Sequence, residues 1–202
     1  MNHNNKKMLF IDACVSTHRS RTKQLCDHYL AGVMKEEPDT LIETVKLRKG
    51  VVEPLDKESI EYRNKLIEDR NWNDPMLDLA RQFKSADRIL IGAPYWDCSF
   101  PSILKVYIEN IVVADLTFKE TGAGFEGLCP CRELTYITTS GGPIGDMDLG
   151  YEYIKGIGTM LGIRSFSEYR AEGLDIIGAD INAILEEAKS RIDAHCALTE
   201  FT

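Results

Sequence analysis

The segment Ala13-Cys14-Val15-Ser16-Thr17-His18-Arg19-Ser20-Arg21-Thr22 joins an apolar run, Lys7 to Asp12, to a helical pattern. Two hydroxyls, Ser20 and Thr22, and two guanidiniums, Arg19 and Arg21, stand where the first N–H groups of that helix have no intrahelical acceptor. Free N–H groups, the positive end of a helix dipole and arginine forks together suit an anion, above all a phosphate dianion. The segment has neither the spaced glycines of a dinucleotide fold nor a Gly-Lys-Ser/Thr, so a monophosphate is the expected anion. A serine cap with solvated arginines would use the same residues, and position alone leaves both readings open.

Two further segments have the makings of a binding site. Pro94-Tyr95-Trp96-Asp97-Cys98-Ser99-Phe100-Pro101 puts bulky aromatics between an apolar run and a helix start. Free backbone groups beside flat side chains suit a planar heterocycle that needs edge hydrogen bonds and a packed face, although aromatics also fill cores. Thr138-Thr139-Ser140-Gly141-Gly142-Pro143 offers two glycines where a ligand can approach the backbone. In Thr117 to Leu128, Gly122, Gly124 and Gly127 spell G-x-G-x-x-G, but the segment neither follows a clear strand nor opens a helix. The dinucleotide reading therefore fails, and a mobile lid carrying Phe118 and Phe125 is expected instead.

Other chemistries are constrained by spacing and charge. A phosphatase loop needs Cys-x5-Arg, whereas four residues separate Cys14 from Arg19 and six separate it from Arg21. Cys129-Pro130-Cys131 is the one close cysteine pair, with no second pair or histidine cluster to complete a zinc site, so no metal is expected. With 24 basic against 32 acidic residues the net charge is −8, which argues against nucleic acid or an anionic membrane as partner. No apolar run approaches the roughly 20 residues of a membrane span, and Met8 to Ile11 is too short for a signal-peptide core. The expected compartment is the cytoplasm, with reduced thiols.

The elements that must position these loops alternate in type. Apolar runs at 7–12, 41–47, 88–93 and 134–139 read as strands, and 163–171 as a poorly patterned fifth. Helical spacing reads at 20–37, weakly at 58–70, from Asp74-Pro75 onward, from Pro101 onward, at 149–161 and at 179–194. Strands alternating with helices in 202 residues predict one domain, a doubly wound α/β fold whose five-stranded parallel sheet carries helices on both faces. Such sheets bind ligands beyond the carboxyl ends of their strands, where the three loops lie.

In combination, Ser20-Arg21-Thr22-Lys23-Gln24-Leu25, Ala93 to Asp97 with Leu104-Lys105 and Tyr107, Thr117-Phe118 with Glu126-Gly127-Leu128, Thr139 to Gly142 and Ala171-Glu172-Gly173 give a specific order and spacing. On these pieces the chain, from about Lys7 to Ile192, resembles the flavodoxin-like NAD(P)H:quinone oxidoreductase and FMN-dependent azoreductase family. The resemblance implies strand order 2-1-3-4-5, noncovalent FMN, NADH or NADPH as donor, and a homodimer with the flavin near the subunit interface. It implies that Ser20, Arg21 and Thr22 hold the phosphate, with Cys14 beside it. Pro94, Tyr95, Trp96, Asp97 and Cys98 should border the isoalloxazine, and Thr139, Ser140, Gly141 and Gly142 its other edge. Trp96, Phe118 and Phe125 should shape a pocket for a quinone-like or other flat electrophilic acceptor, reduced by ping-pong hydride transfer. The common azoreductase turn is Met-Tyr-Asn-Phe, and here Tyr95-Trp96-Asp97-Cys98 replaces it, which puts azo-dye reduction in doubt. The alternative within the same likeness is a flavodoxin-type electron carrier with no NAD(P)H oxidation of its own.

Overall fold

Strand β1, Lys7–Asp12, is buried along almost its whole length and is the second of five strands in a parallel sheet. β2 (Leu41–Lys46) flanks it on one side and β3 (Arg88–Gly92) on the other, with Met8 opposite both Ile42 and Arg88. The computed structural model describes residues 6–15, 20–122 and 124–198. A hairpin, β4 (Phe118–Thr121) and β5 (Gly124–Gly127), precedes β6 (Glu133–Thr139), and β7 (Ser165–Ala171) completes the sheet in the order β2-β1-β3-β6-β7. Counting the five parallel strands alone, this is the expected 2-1-3-4-5.

The helices are α1 (Arg21–Glu36), α2 (Lys57–Glu68), α3 (Asp78–Lys84), α4 (Ser102–Ile111), α5 (Leu149–Leu161) and α6 (Ile181–Leu198). Alternation of side chains along the strands divides the core in two. Met8, Phe10, Leu90, Ile137 and Tyr169 face α1 and α6, where Leu25, Tyr29 and Ala188 meet them. Leu9, Ile11, Ile89, Ile91 and Tyr136 face the other way, toward Phe83, Leu104, Ile108 and Ile154 of α3, α4 and α5. Helix starts follow local chemistry. Asp56 and Ser59 form a reciprocal capping box on α2, and Asp74 caps a short 3-10 turn, Pro75–Leu77, that leads into α3.

The segment expected to be a mobile lid forms an antiparallel hairpin, with Phe118 paired to Gly127 and the rings of Phe118 and Phe125 edge to face at 5.7 Å. Its base is locked to the end of α5. The Cys129 N–H donates to Leu161 O at 3.0 Å, and Gly127 lies so close to Gly162 that an added Cβ would fall 2.0 Å from the Gly162 nitrogen. Glycine is required there because only a bare backbone allows that approach. Since α4 runs down from the carboxyl end of β3 and β6 starts just after the hairpin, the hairpin's base stands at the amino edge of the sheet.

Candidate active site

Three loops leave the carboxyl ends of β1, β3 and β6, and backbone hydrogen bonds tie them together. Ala13 N–H donates to Gly92 O at 2.9 Å, Ala93 N–H to Ile137 O at 3.0 Å and Tyr95 N–H to Thr139 O at 3.0 Å. Around them opens a cleft of about 740 Å³, bordered by Ser20, Arg21, Thr22, Pro94, Trp96 and Thr139 among others. Six of the expected site residues thus meet in one cavity. A second cleft, of about 590 Å³, opens on the β2 side of the same loop, with Cys14, Lys23, Lys46 and Arg48 in its wall. Ser20 and Gln24 border both clefts.

Ser20 is the N-cap of α1, its hydroxyl accepting from Lys23 N–H at 3.2 Å. The Arg21 and Thr22 N–H groups stand in the first turn, where the helix supplies no carbonyl. The Thr22 hydroxyl is buried and 2.6 Å from that of Thr139, so its side chain links α1 to β6. Arg21 reaches across the cleft to Asp175, with Nη1 to Oδ1 at 2.7 Å. Asp175 lies two residues beyond the Ala171-Glu172-Gly173 piece, and neither its type nor its spacing marks it. Ladder bonds bring it here, Asp175 N–H to Gly141 O at 2.9 Å and Leu174 N–H to Ser140 O at 3.1 Å. Its carboxylate packs where a Gly141 Cβ would stand, which is why that position has no side chain. His18 and Arg19 lie outside the described residues.

The turn after β3 is a miniature hairpin. Trp96 and Ser99 exchange both backbone bonds, at 3.0 and 2.8 Å, and Asp97 and Cys98 between them have φ of +52° and +62°. Two consecutive left-handed residues make a type I′-like turn, a conformation that Asp tolerates and Cys rarely adopts. The strain, of order 1–3 kcal/mol per such residue, marks this turn as shaped for something other than stability. The N–H groups of Asp97 and Cys98 take no part in the Trp96–Ser99 pair. Trp96 is 48% exposed beside the cleft. Tyr95 turns away, its hydroxyl donating to Met147 O at 3.0 Å.

Cys14 is no nucleophile. Burial pushes its thiol up to about 12, against a weaker opposing hydrogen bond with Ser20. A phosphatase needs the thiolate, so the environment joins the spacing in excluding that chemistry. Burial likewise raises Cys129 to about 11 and Cys131 to about 12. Phe118 and Phe125 border neither cleft. The hairpin that carries them is anchored at the opposite edge of the sheet. Among the described residues no group of acidic, histidine or cysteine side chains is arranged to hold a metal ion.

Comparison with known proteins agrees with this architecture. The chain is 32% identical over 188 residues to an FMN-dependent NADH:quinone oxidoreductase of Lachnoclostridium phytofermentans, covering 92% of this chain and 95% of that one. It is 35% identical over 196 residues to FMN-dependent NADH:quinone oxidoreductase 2 of Clostridium acetobutylicum, with 92% and 97% coverage. An FMN-dependent NADH-azoreductase of Bacillus anthracis, solved in complex with FMN, superposes with a TM-score of 0.83 at 27% identity, over 96% of this chain and 99% of that one. The family described as flavodoxin-like fold matches residues 6–196, and the chain belongs to it.

Proposed function

We propose that this chain is an FMN-dependent NAD(P)H oxidoreductase acting on quinones. The supporting observation is the 740 Å³ cleft, closed at one side by a helix N-terminus with an arginine and at the other by a strained aromatic turn. The first suits a monophosphate and the second suits a planar ring, so the residues fit FMN. The Arg21 and Thr22 N–H groups, with the Ser20 hydroxyl and the Arg21 guanidinium, hold the phosphate, and Cys14 packs behind them as a protonated thiol. The Asp97 and Cys98 N–H groups meet one edge of the ring, and Ser140 to Gly142 meet the other. FMN, when bound, accepts a hydride from NADH or NADPH and delivers it to the acceptor.

The chain's own residues orient and shield. Trp96 covers one side of the cleft, and no side chain acts as nucleophile. Donor and acceptor use the same space in turn, which gives ping-pong kinetics. The chain works as one domain, in the cytoplasm, as a homodimer. Exposed apolar side chains at the strand-end loops, Trp96, Met147, Leu149, Ile176 and Ile177, supply a surface for a second copy to cover. Among the described residues no helix is long and apolar enough to cross a membrane.

The test is spectroscopic. Apo protein mixed with FMN is expected to show bound-flavin absorption that bleaches on anaerobic addition of NADH or NADPH and returns with a quinone. Double-reciprocal plots are expected to be parallel. A bound flavin that neither donor bleaches would instead identify an electron carrier. Light scattering gives the oligomeric state.

A further inference from the structure

The cleft on the β2 side of the phosphate loop differs in charge from the flavin cleft. Among the described residues, the wall of the flavin cleft holds one cation, Arg21, and Asp175 already pairs with it. The wall of the 590 Å³ cleft holds four, Lys23, Lys46, Arg48 and Lys49, against two acids, Asp12 and Asp27. Both acids are engaged. Asp27 pairs with Lys23, one turn away on α1. Asp12, only 8% exposed, accepts from the Cys14 N–H at 3.0 Å. Lys46, Arg48 and Lys49 are exposed, and among the described residues none of the three has an ion pair. In a chain of net charge −8, three unpaired cations around one cavity concentrate positive potential there.

Backbone bonds hold these cations beside the phosphate loop. The Leu47 N–H donates to Asp12 O at 2.8 Å, tying the end of β2 to the end of β1, and Lys46 lies opposite Asp12 in the ladder. The Val51 N–H donates to Arg48 O at 3.0 Å and closes a turn around Lys49 and Gly50, where Gly50 takes a φ of +84°. Leu47, with Ile103 of α4, adds apolar surface to the same wall. Small-molecule sites span roughly 300–1,000 Å³, and apolar surface beside unpaired cations suits a flat base that carries phosphate. Ser20 and Gln24 border this cleft and the flavin cleft alike, so occupants of the two would be neighbours.

We propose that the β2-side cleft is a second phosphate subsite, distinct from that of the flavin, and that it takes an adenosine phosphate on Lys46, Arg48 and Lys49. The same chemistry, a phosphate monoester on an adenosine body, is offered by the 2′-phosphate of NADPH and by a free nucleotide. A role toward the donor rests on the FMN reading; binding of the nucleotide does not.

The experiment titrates adenosine 2′,5′-bisphosphate into FMN-loaded and apo protein by calorimetry. Both forms are expected to bind it, with affinities within about threefold of each other. Arg48→Gln is expected to weaken binding about threefold to tenfold, and Lys46→Gln, Arg48→Gln and Lys49→Gln together by about tenfold or more, the scale of charge-assisted contacts at an exposed site. Arg132→Gln removes the same charge at the amino end of β6 and is expected to change affinity by less than about twofold, because distant charges are screened. Adenosine itself is expected to bind at least about tenfold more weakly than the bisphosphate. The FMN affinity of Arg48→Gln is expected to stay within about threefold of wild type. No binding to the wild type, an equal loss in Arg132→Gln, or displacement of the bisphosphate by FMN would overturn the proposal, the last by making the cleft part of the flavin phosphate site. Steady-state assays with a quinone separate the two sources. In Arg48→Gln, a rise in the KM for NADPH that exceeds any for NADH assigns the phosphate to the donor, and unchanged values for both assign it to a free nucleotide. Apo protein that binds the bisphosphate and takes up no FMN would sink the cofactor reading and leave the subsite standing.

Discussion

Arg21 is paired with Asp175 across the mouth of the cleft, and both are partly exposed, at 33% and 71% of their side chains. Exposed pairs contribute little to stability, typically below about 1 kcal/mol, so Arg21 can exchange this partner for a phosphate at small cost. Asp175 meanwhile opposes any anion there. Two opposite outcomes follow for FMN binding, read by fluorescence titration. Arg21→Ala is expected to weaken it by about tenfold to a hundredfold, the value of a charge-assisted contact. Asp175→Asn is expected to tighten it about twofold to fivefold by removing a screened repulsion. Unchanged affinity in Arg21→Ala would refute the phosphate assignment. At the same scale, Asp97 and Cys98 both take left-handed backbone, which leaves their N–H groups out of the Trp96–Ser99 pair.

The hairpin β4–β5 shows how an element can be placed by one close contact. Its strands are only four residues each, too short to be stable alone, so it depends on packing against α5. The contact of Gly127 with the Leu161–Gly162 backbone supplies that support. Gly127→Ala is expected to destabilise by about 1–3 kcal/mol or more, because backbone rather than a flexible side chain must yield. Gly122→Ala, at a turn position with nothing within 4 Å, is expected to stay within about 0.5 kcal/mol. Chemical denaturation of both variants checks the pair. Similar losses would mean that glycine flexibility, and not the close approach, governs the hairpin.

For the whole molecule two carboxylates give two separate pH windows. Hydrogen bonds from Lys7 and Gln82 hold Glu43 below its usual value of 4.5, so the stability it contributes is present at neutral pH and is lost as pH falls below that value. Glu168 acts with the opposite sign. Burial raises its folded carboxyl, which keeps a proton up to about pH 8, whereas the unfolded chain releases it near 4.5. Stability from this group therefore declines between those limits and is level above them. The melting temperature of Glu168→Gln relative to wild type is expected to climb from pH 5 to pH 8 and then hold steady. A constant difference over that range would contradict the raised value.

The three inner strands were legible because burial on both faces forces continuous apolar runs such as Arg88 to Gly92, and a cap such as Asp74 marks a helix start locally. The three strand-end loops were legible for a topological reason, since a parallel sheet must bring those ends together. Other features depended on contacts distant in sequence. Asp175 reaches Arg21 across 154 residues, and Arg170 of β7 meets Asp148 at the start of α5. The glycines at 122, 124 and 127 looked like lid residues, and only the contact of Gly127 with Gly162 fixed the segment as an anchored hairpin at the opposite edge of the sheet. The sequence by itself determined the sheet and which ends of its strands face a ligand, because hydrophobic period and capping are local. Which acid meets which base, and which aromatic stands beside the cleft, were decided only in the tertiary structure, because charge pairing and close backbone approach leave no periodic trace in the chain.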